Sequence, residues 1–343
     1  MSAGFIPRKL LLPLVPAYRL GLWLRERRLG TQAEPVQRLR YPVVSIGNLS
    51  TGGSGKTPLT IVLATVLTQY GFHVDVLSRG YGRKGQIPAR VTAGGAAEEF
   101  GDEPLLITRT AGVPVYVAAQ RFDAGLLAEG DATAIAALGE GTKPVVHFLD
   151  DGFQHRQLAR TVDILLLDRQ DWTDHLLPAG NLREPISAAL RATVIAIPAE
   201  DTALEAELKA WGWHGPVWRL LRNMEIPPAD GPVAAFCGIA RPRQFFAGLE
   251  AAGLEIVLRK DFPDHHRFTA AEVERLVQAA RAAGASAFFT TEKDQVRLGN
   301  LAAAIPASIP LKIAGLAIEI ENRYDAIAWL LDQLGPLSAR QAL

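Results

Sequence analysis

The sequence predicts an α/β protein, a P-loop NTPase-type mostly parallel sheet with helices on both faces plus a second smaller α/β lobe. Three observations carry that expectation. The apolar run Val43-Val44-Ser45-Ile46 leads into a glycine-rich loop, Ser50-Thr51-Gly52-Gly53-Ser54-Gly55-Lys56-Thr57, and then into the apolar stretch from Pro58 to Leu63. Short β-branched runs alternate with helical stretches after residue 30, the pattern of parallel βαβ units. A second set of such runs follows residue 193, enough for another lobe.

The first strands are expected at Pro42 to Ile46, His73 to Leu77, Val113 to Val117, Pro144 to Leu149 and Asp163 to Leu167, with helices at Lys56 to Tyr70 and Ala119 to Glu129. The second lobe is expected from Thr193 to Ile197, Val233 to Cys237, Leu254 to Leu258 and Ser286 to Thr290, covered by helices at Pro242 to Ala252 and Ala270 to Ala283. A last helix, Arg323 to Leu334, returns toward the first lobe. The expected division is 1–30 as a basic and apolar segment, 31–182 as the P-loop core, 183–318 as the second lobe and 319–343 as the returning helix.

Composition narrows the classes. Lys plus Arg and Asp plus Glu number 36 each, so the balance offers nothing to a nucleic-acid partner. The single cysteine, Cys237, excludes an internal disulfide and suits a reducing compartment; after Val233-Ala234-Ala235-Phe236 it reads as core filler. The local imbalance is N-terminal, where Arg8, Lys9, Arg19, Arg25, Arg27 and Arg28 face only Glu26 and are interleaved with Phe5, Ile6, several leucines and Trp23. The apolar stretch from Leu10 to Tyr18 is interrupted by Pro13 and Pro16, and it is shorter than the ~20 residues a spanning helix needs. Two readings remain for residues 1–30: a segment lying on an anionic lipid surface, or a terminal helix packed on the body of the protein.

The glycine-rich loop matches G-x-x-x-x-G-K-[ST] except that Ser50 replaces the first glycine. Backbone N–H groups of Ser50, Thr51, Gly52, Gly53, Ser54 and Gly55 would cradle phosphates, Lys56 would reach the β- and γ-phosphates and Thr57 would offer its hydroxyl to Mg²⁺. This is a nucleoside triphosphate site. The strand ending at Leu149 runs into Asp150-Asp151-Gly152-Phe153-Gln154-His155, where a P-loop enzyme keeps its metal-side carboxylate. Adjacent residues of a strand point to opposite faces, so both aspartates serve one metal only where the chain turns.

Asp102, in Gly101-Asp102-Glu103-Pro104, fits either a helix N-cap or a carboxylate accepting the proton of an attacking hydroxyl. Arg79 and Arg83, in Arg79-Gly80-Tyr81-Gly82-Arg83, suit an anionic substrate or a solvated surface. The loop Asp261-Phe262-Pro263-Asp264-His265-His266-Arg267-Phe268 admits a metal site, a surface loop, or a histidine orienting a carboxylate base. Thr291-Glu292-Lys293-Asp294 only approximates a guanine-reading signature, its lysine one place too late.

Together, S-I-G-N-L-S-T-G-G-S-G-K-T-P, L-S-R-G-Y-G-R, G-D-E-P, D-D-G-F-Q-H, L-P-A-G-N-L-R-E-P, F-P-D-H-H-R-F and T-E-K-D resemble the tetraacyldisaccharide 4'-kinase family, in order from residue 45 to 294. The resemblance implies a phosphotransferase using ATP and Mg²⁺ on the 4'-hydroxyl of a lipid disaccharide 1-phosphate, at the cytoplasmic face of the inner membrane. It implies Asp102 as the hydroxyl-activating carboxylate with His265, rather than His266, as its partner. It also implies Asp150 and Asp151 serving metal and catalysis, and Arg183 and Glu184 near the nucleotide and the hinge between lobes; Arg79, Arg83, Gln154 and His155 are the residues expected on the substrate side. The competing readings are a P-loop NTPase acting as a membrane-associated switch or chaperone, and a nucleotide-holding module without turnover. Oligomeric state has no signature in the chain.

Overall fold

A computed structural model describes residues 8–29, 31–32, 35–137 and 143–335; Phe5 and Ile6 of the N-terminal segment lie outside the described residues. The chain forms two compact units. The first comprises the chain up to Ser78, Gln120–Leu221 and the chain from Ile318; the second comprises Arg79–Ala119 and Arg222–Ala317.

In the first unit the strand Val43–Asn48 is buried along its whole length and pairs in parallel with Val145–Asp150 on one side and Val162–Leu166 on the other. His73–Ser78 extends the sheet beyond Val145–Asp150, and Val194–Pro198 extends it beyond Val162–Leu166, followed by the first residues of Val217–Glu225. Sheets covered on both faces read as continuous apolar runs, which makes the strands before Val217 recognisable in the sequence. The helix Lys56–Gln69 follows the glycine-rich loop, and Arg121–Ala137 packs on His73–Ser78. One core cluster joins Leu49, Phe153, Leu165, Ile195, Ile197, Leu204 and Leu208.

The N-terminal helix Val15–Arg28 places Val15, Tyr18 and Leu22 against that cluster. Leu10, Leu14, Leu20, Trp23 and Leu24 are exposed. One side of this segment is therefore packed on the unit, as the second reading expects, and the rest faces outward. Pro16 falls in the first turn, where its missing N–H has no helical partner to lose.

In the second unit Val233–Cys237 lies between Ile256–Asp261 and Ala287–Thr291, and Ala287–Thr291 pairs with Leu311–Ile320, all in parallel. Alternation along Val233–Cys237 sorts its two faces. Val233, Ala235 and Cys237 pack with Phe245 and Leu249 of the helix Pro242–Ala251, while Ala234 and Phe236 pack with Val273, Leu276 and Val277 of Ala270–Ala282. Cys237 is a buried free thiol, pushed up to about 12 by burial and the Asp294 carboxylate, and so is inert.

The division differs from the expected 31–182 and 183–318 in two places. Residues 79–119 fold with the second unit, because their helix Asp102–Ala111 packs on Glu292–Leu298. Residues 183–221 stay with the first, because Val194–Pro198 and Val217–Glu225 add strands to its sheet. Helix Arg323–Leu334 belongs to the first unit.

The first unit buries one charged network away from the glycine-rich loop. His147 is fully buried, with Nδ1 2.7 Å from Asp75 Oδ1 and Nε2 3.5 Å from Glu129 Oε1. Burial disfavours its charge, but the two carboxylates prevail and raise it to about 9. A group raised on folding contributes stability that is complete below its unfolded value near 6.5 and is lost as pH climbs through about 9. Replacing His147 with Ala leaves Asp75 buried without its partner and should cost about 3–5 kcal/mol. Urea denaturation at neutral pH measures this loss, and between pH 6.5 and 9 the variant should lose less stability than the parent.

Candidate active site

The glycine-rich loop connects the carboxyl end of Val43–Asn48 to the helix beginning at Lys56, placing backbone donors and a helix N-terminus on one spot. Gly52 and Gly55 take φ of 123° and 91°, conformations that side chains resist. Ser54 and Thr57 are buried within the turn, and Ser50 accepts a hydrogen bond from Asn48 Nδ2 at 3.2 Å. Thr51 donates its backbone N–H to the Asn181 carbonyl at 2.8 Å, pinning the loop to the L-P-A-G-N-L-R-E-P segment.

Lys56 Nζ donates to Asn48 Oδ1 at 2.9 Å and lies 3.5 Å from Asp151 Oδ1. Arg183 meets Asp151 through both carboxylate oxygens, at 3.0 and 2.9 Å, and reaches Asn48 Oδ1 at 2.5 Å. Burial alone would favour protonated Asp151; Lys56 and Arg183 prevail and hold it well below the usual carboxylate range. Two cations thus converge where a triphosphate's charge is needed.

The chain does turn at the paired aspartates. Asp150 ends its strand buried, with Oδ1 3.3 Å from Thr60 Oγ1, whereas Asp151 adopts φ of 50° and swings to Lys56 and Arg183. The turn lies against the strand Val43–Asn48 at Gly47, where an added Cβ would come within 2.6 Å of the Phe153 side chain, so only glycine fits. Among the described residues no group of three His, Cys, Asp or Glu could hold a metal. One carboxylate and the Thr57 hydroxyl still suit Mg²⁺, which is commonly held by one or two carboxylates together with phosphate oxygens and water. Asp150 and Thr57 would hold it there, and the ion would neutralise charge on the phosphates.

The second unit holds a separate constellation. Asp102 opens its helix and is 5% exposed. Its Oδ2 lies 3.0 Å from His265 Nδ1 and 2.7 Å from Arg297 Nε; its Oδ1 accepts the Glu103 N–H at 3.0 Å. Burial again opposes the charge, and the hydrogen bond between His265 and Asp102, together with the charge of the Arg297 guanidinium, overcomes it, leaving Asp102 well below the usual carboxylate range. The Asp102 hydrogen bond raises His265 in turn. His265 takes φ of 59° and sets its ring beside Tyr81, centroids 5.0 Å apart and the planes tilted by 52°. Among the described residues, the non-glycine positions with positive φ are Asp151 and His265, and such strain collects at functional sites. Gly101, at φ 91°, lets the start of the Asp102 helix meet Gly80, 3.1 Å from where a Cβ would stand.

Other expected residues are placed differently. Glu184 turns from the Lys56 cluster to Arg191, at 2.6 Å. His266 contacts Glu272 at 3.2 Å instead of Asp102. Gln154 donates to the Asn48 carbonyl at 2.9 Å, near the glycine-rich loop; His155 N–H bonds the Gly152 carbonyl within its own turn. Arg79 is exposed, and Arg83 folds its stem over Gly80. Two residues were missed by sequence reading. Asn48 could have been found as a polar residue ending an apolar strand just before the loop, and Arg297 as the cation three residues beyond Asp294 on one helix face.

A strand, glycine-rich loop and helix with two converging cations define a P-loop phosphotransferase. The family model described as tetraacyldisaccharide-1-P 4'-kinase matches residues 7–335. The tetraacyldisaccharide 4'-kinase of Koribacter versatilis is 40% identical over 324 residues, covering 90% of this chain and 96% of that one. That of Anaeromyxobacter sp. strain K is 40% identical over 331 residues, covering 87% and 83%. The crystal structure of LpxK from Aquifex aeolicus in complex with ATP matches with a TM-score of 0.72 at 31% identity, covering 96% of this chain and 100% of that one. The chain belongs to the tetraacyldisaccharide 4'-kinase family.

Asn48 gathers both cations through one oxygen, so its loss should loosen the pair. Replacing Asn48 with Ala should weaken ATP binding about tenfold, the scale of one hydrogen bond to a charged group, and replacing Lys56 with Ala should weaken it further. Equilibrium titration with a non-hydrolysable ATP analogue measures both.

Proposed function

We propose that this chain transfers the γ-phosphoryl group of ATP to the 4'-hydroxyl of a tetraacylated disaccharide 1-phosphate. The observation that carries the reading is the convergence of Lys56 and Arg183 on Asn48 and Asp151 beside the glycine-rich loop. Lys56 and the loop N–H groups bind and orient the triphosphate, and Arg183 adds charge beside it. Thr57 and Asp150 hold Mg²⁺, and Asp151 completes that acidic side. Asp102 accepts the proton of the sugar hydroxyl, with His265 orienting its carboxylate. In phosphoryl transfer the protein contributes chiefly position and electrostatics, so a low-pKa carboxylate is a suitable acceptor. Arg79, Arg83, Gln154 and His155 are assigned to the substrate side on their motifs. The switch or chaperone reading has no comparable support from the relatives.

Among the described residues no helix is long and apolar enough to cross a membrane. The exposed Leu20, Trp23 and Leu24 beside Arg19, Arg27 and Arg28 support contact of the N-terminal helix with an anionic lipid surface, at the cytoplasmic face of the inner membrane. Arg8 and Arg25 are turned inward instead, to Asn181 and the Gln154 carbonyl.

Incubation with γ-labelled ATP, Mg²⁺ and detergent-dispersed disaccharide 1-phosphate should place label in the lipid. Asp102→Asn should lower turnover about 10²–10⁴-fold with ATP binding retained; near-normal turnover would remove Asp102 from the base role. Tyr18 Oη donates to the Arg183 carbonyl at 2.9 Å, so deleting the whole helix would disturb the nucleotide side. The cleaner membrane test replaces Leu20, Trp23 and Leu24 with Gln, which should shift protein away from floated anionic vesicles while soluble ATP binding stays intact.

A further inference from the structure

Arg297 is a buried charged residue that the reaction scheme leaves unused. Its side chain is 3% exposed, and every nitrogen of its guanidinium is engaged. Nε and one terminal nitrogen approach Asp102 Oδ2 at 2.7 and 2.5 Å. The other terminal nitrogen contacts Asp294 Oδ1 at 2.9 Å and donates to the Gly238 carbonyl. Asp294 is itself fixed, its Oδ2 accepting from Gly238 N–H at 3.0 Å and from Thr291 Oγ1 at 2.7 Å. The clamp therefore ties Asp102 to the ends of two parallel strands, Val233–Cys237 and Ala287–Thr291.

We propose that Arg297 is the positioning residue of the Asp102–His265 pair: its planar fork occupies Asp102 Oδ2, turns Oδ1 to the reacting hydroxyl, and sets the pH at which the pair becomes active. The inference rests on the reading of Asp102 as the proton acceptor. An ionised carboxylate only accepts hydrogen bonds, so His265 Nδ1 donates to Oδ2 alongside the two Arg297 donors. Oδ2 is then saturated. Oδ1 accepts only the Glu103 N–H among these contacts and keeps a second acceptor direction.

The charged surroundings favour this assignment. Lys293, on the same helix as Arg297, is paired with Glu103 at 2.5 Å. Asp264 approaches His265 Nε2 at 3.9 Å and the Arg297 fork at 3.8 Å, and Asp294 is committed to the far side of Arg297. Glu98, Arg267 and the Tyr81 ring line the small cavity at Asp102 and His265. Arg297 is thus the cation in direct double contact with the carboxylate. The pair titrates as one system, and a nearby cation lowers the apparent pKa of either member. Removing it must move the acid limb of the rate profile upward, whichever member carries the observed ionisation.

The test compares Arg297→Lys, Arg297→Met and Arg297→Gln in the full chain, reading kcat, KM for ATP, the pH profile of kcat/KM and the thermal midpoint. The two neutral variants should lose about 100-fold in kcat with KM for ATP within about threefold, and their acid limb should rise by about one pH unit or more. Arg297→Lys keeps the charge and loses the fork, so it should lose about tenfold in kcat with its acid limb near that of the parent. A folded neutral variant whose acid limb does not move overturns the proposal. Should neither neutral variant fold, full kcat in Arg297→Lys overturns the fork, and a tenfold loss with the parent's pH profile supports it. Asp102→Asn separates the underlying reading: if it keeps turnover, the base assignment fails whatever Arg297 does, whereas an inactive Asp102→Asn beside an unmoved Arg297→Met profile condemns the Arg297 proposal alone.

Discussion

Holding two cations on a single oxygen is the constraint around which the first unit is organised. Lys56 Nζ and the Arg183 guanidinium both reach Asn48 Oδ1, and their mutual repulsion is tolerable only with an anion between them. Asp151 supplies it, bidentate to Arg183 and 3.5 Å from Lys56. The same arrangement of charge would suit a triphosphate. Neighbouring features follow from getting Asp151 there: the left-handed backbone at that residue, the side-chain-free Gly47 beneath the turn, and the Arg183 backbone N–H bound to the Leu49 carbonyl at 2.7 Å.

The second unit solves the mirror problem. There a buried carboxylate, Asp102, must remain charged, and it does so by meeting a guanidinium and an imidazole at one oxygen. Removing a partner from a buried pair costs far more than the pair returns over apolar packing, so such pairs are weak evidence for stability and better evidence for a chemical requirement. His147 gives the contrast. Its carboxylate partners Asp75 and Glu129 lie at 2.7 and 3.5 Å, but the three sit within the sheet and helix packing, away from the glycine-rich loop, and their role is structural.

What the sequence disclosed and what it withheld divide along the locality of the signal. The glycine-rich loop, the paired aspartates and Asp102 at the start of its helix are local patterns, and each occupies the position its motif demanded. The strands Val217–Glu225 and Leu311–Ile320 went unread; exposure along both alternates irregularly. The unit boundaries were misplaced for a related reason. A parallel strand joins its neighbour through contacts distant in sequence, so nothing near residue 183 indicates that Val194–Pro198 continues the first sheet, or near 79 that Asp102–Ala111 packs on Glu292–Leu298. Glu184 was placed beside Arg183 on the resemblance through its L-R-E-P motif, yet neighbouring side chains diverge, and it pairs with Arg191.

The N-terminal helix divides into packed and exposed residues without a clean amphipathic pattern. Its leucines and arginines are spread around the axis instead of collecting on opposite faces, so periodicity offered no choice between packing inward and lying on lipid. The structure divides the work by residue. Val15, Tyr18 and Leu22 anchor the helix in the core cluster, Arg8 and Arg25 tie it to Asn181 and Gln154, and Leu20, Trp23 and Leu24 remain outside. Tyr18 also bonds the carbonyl of Arg183, the residue that clamps Asp151. Displacing this helix would therefore pull on the backbone of Arg183, and through it on the Asp151 clamp, so the helix and the clamp keep their places together.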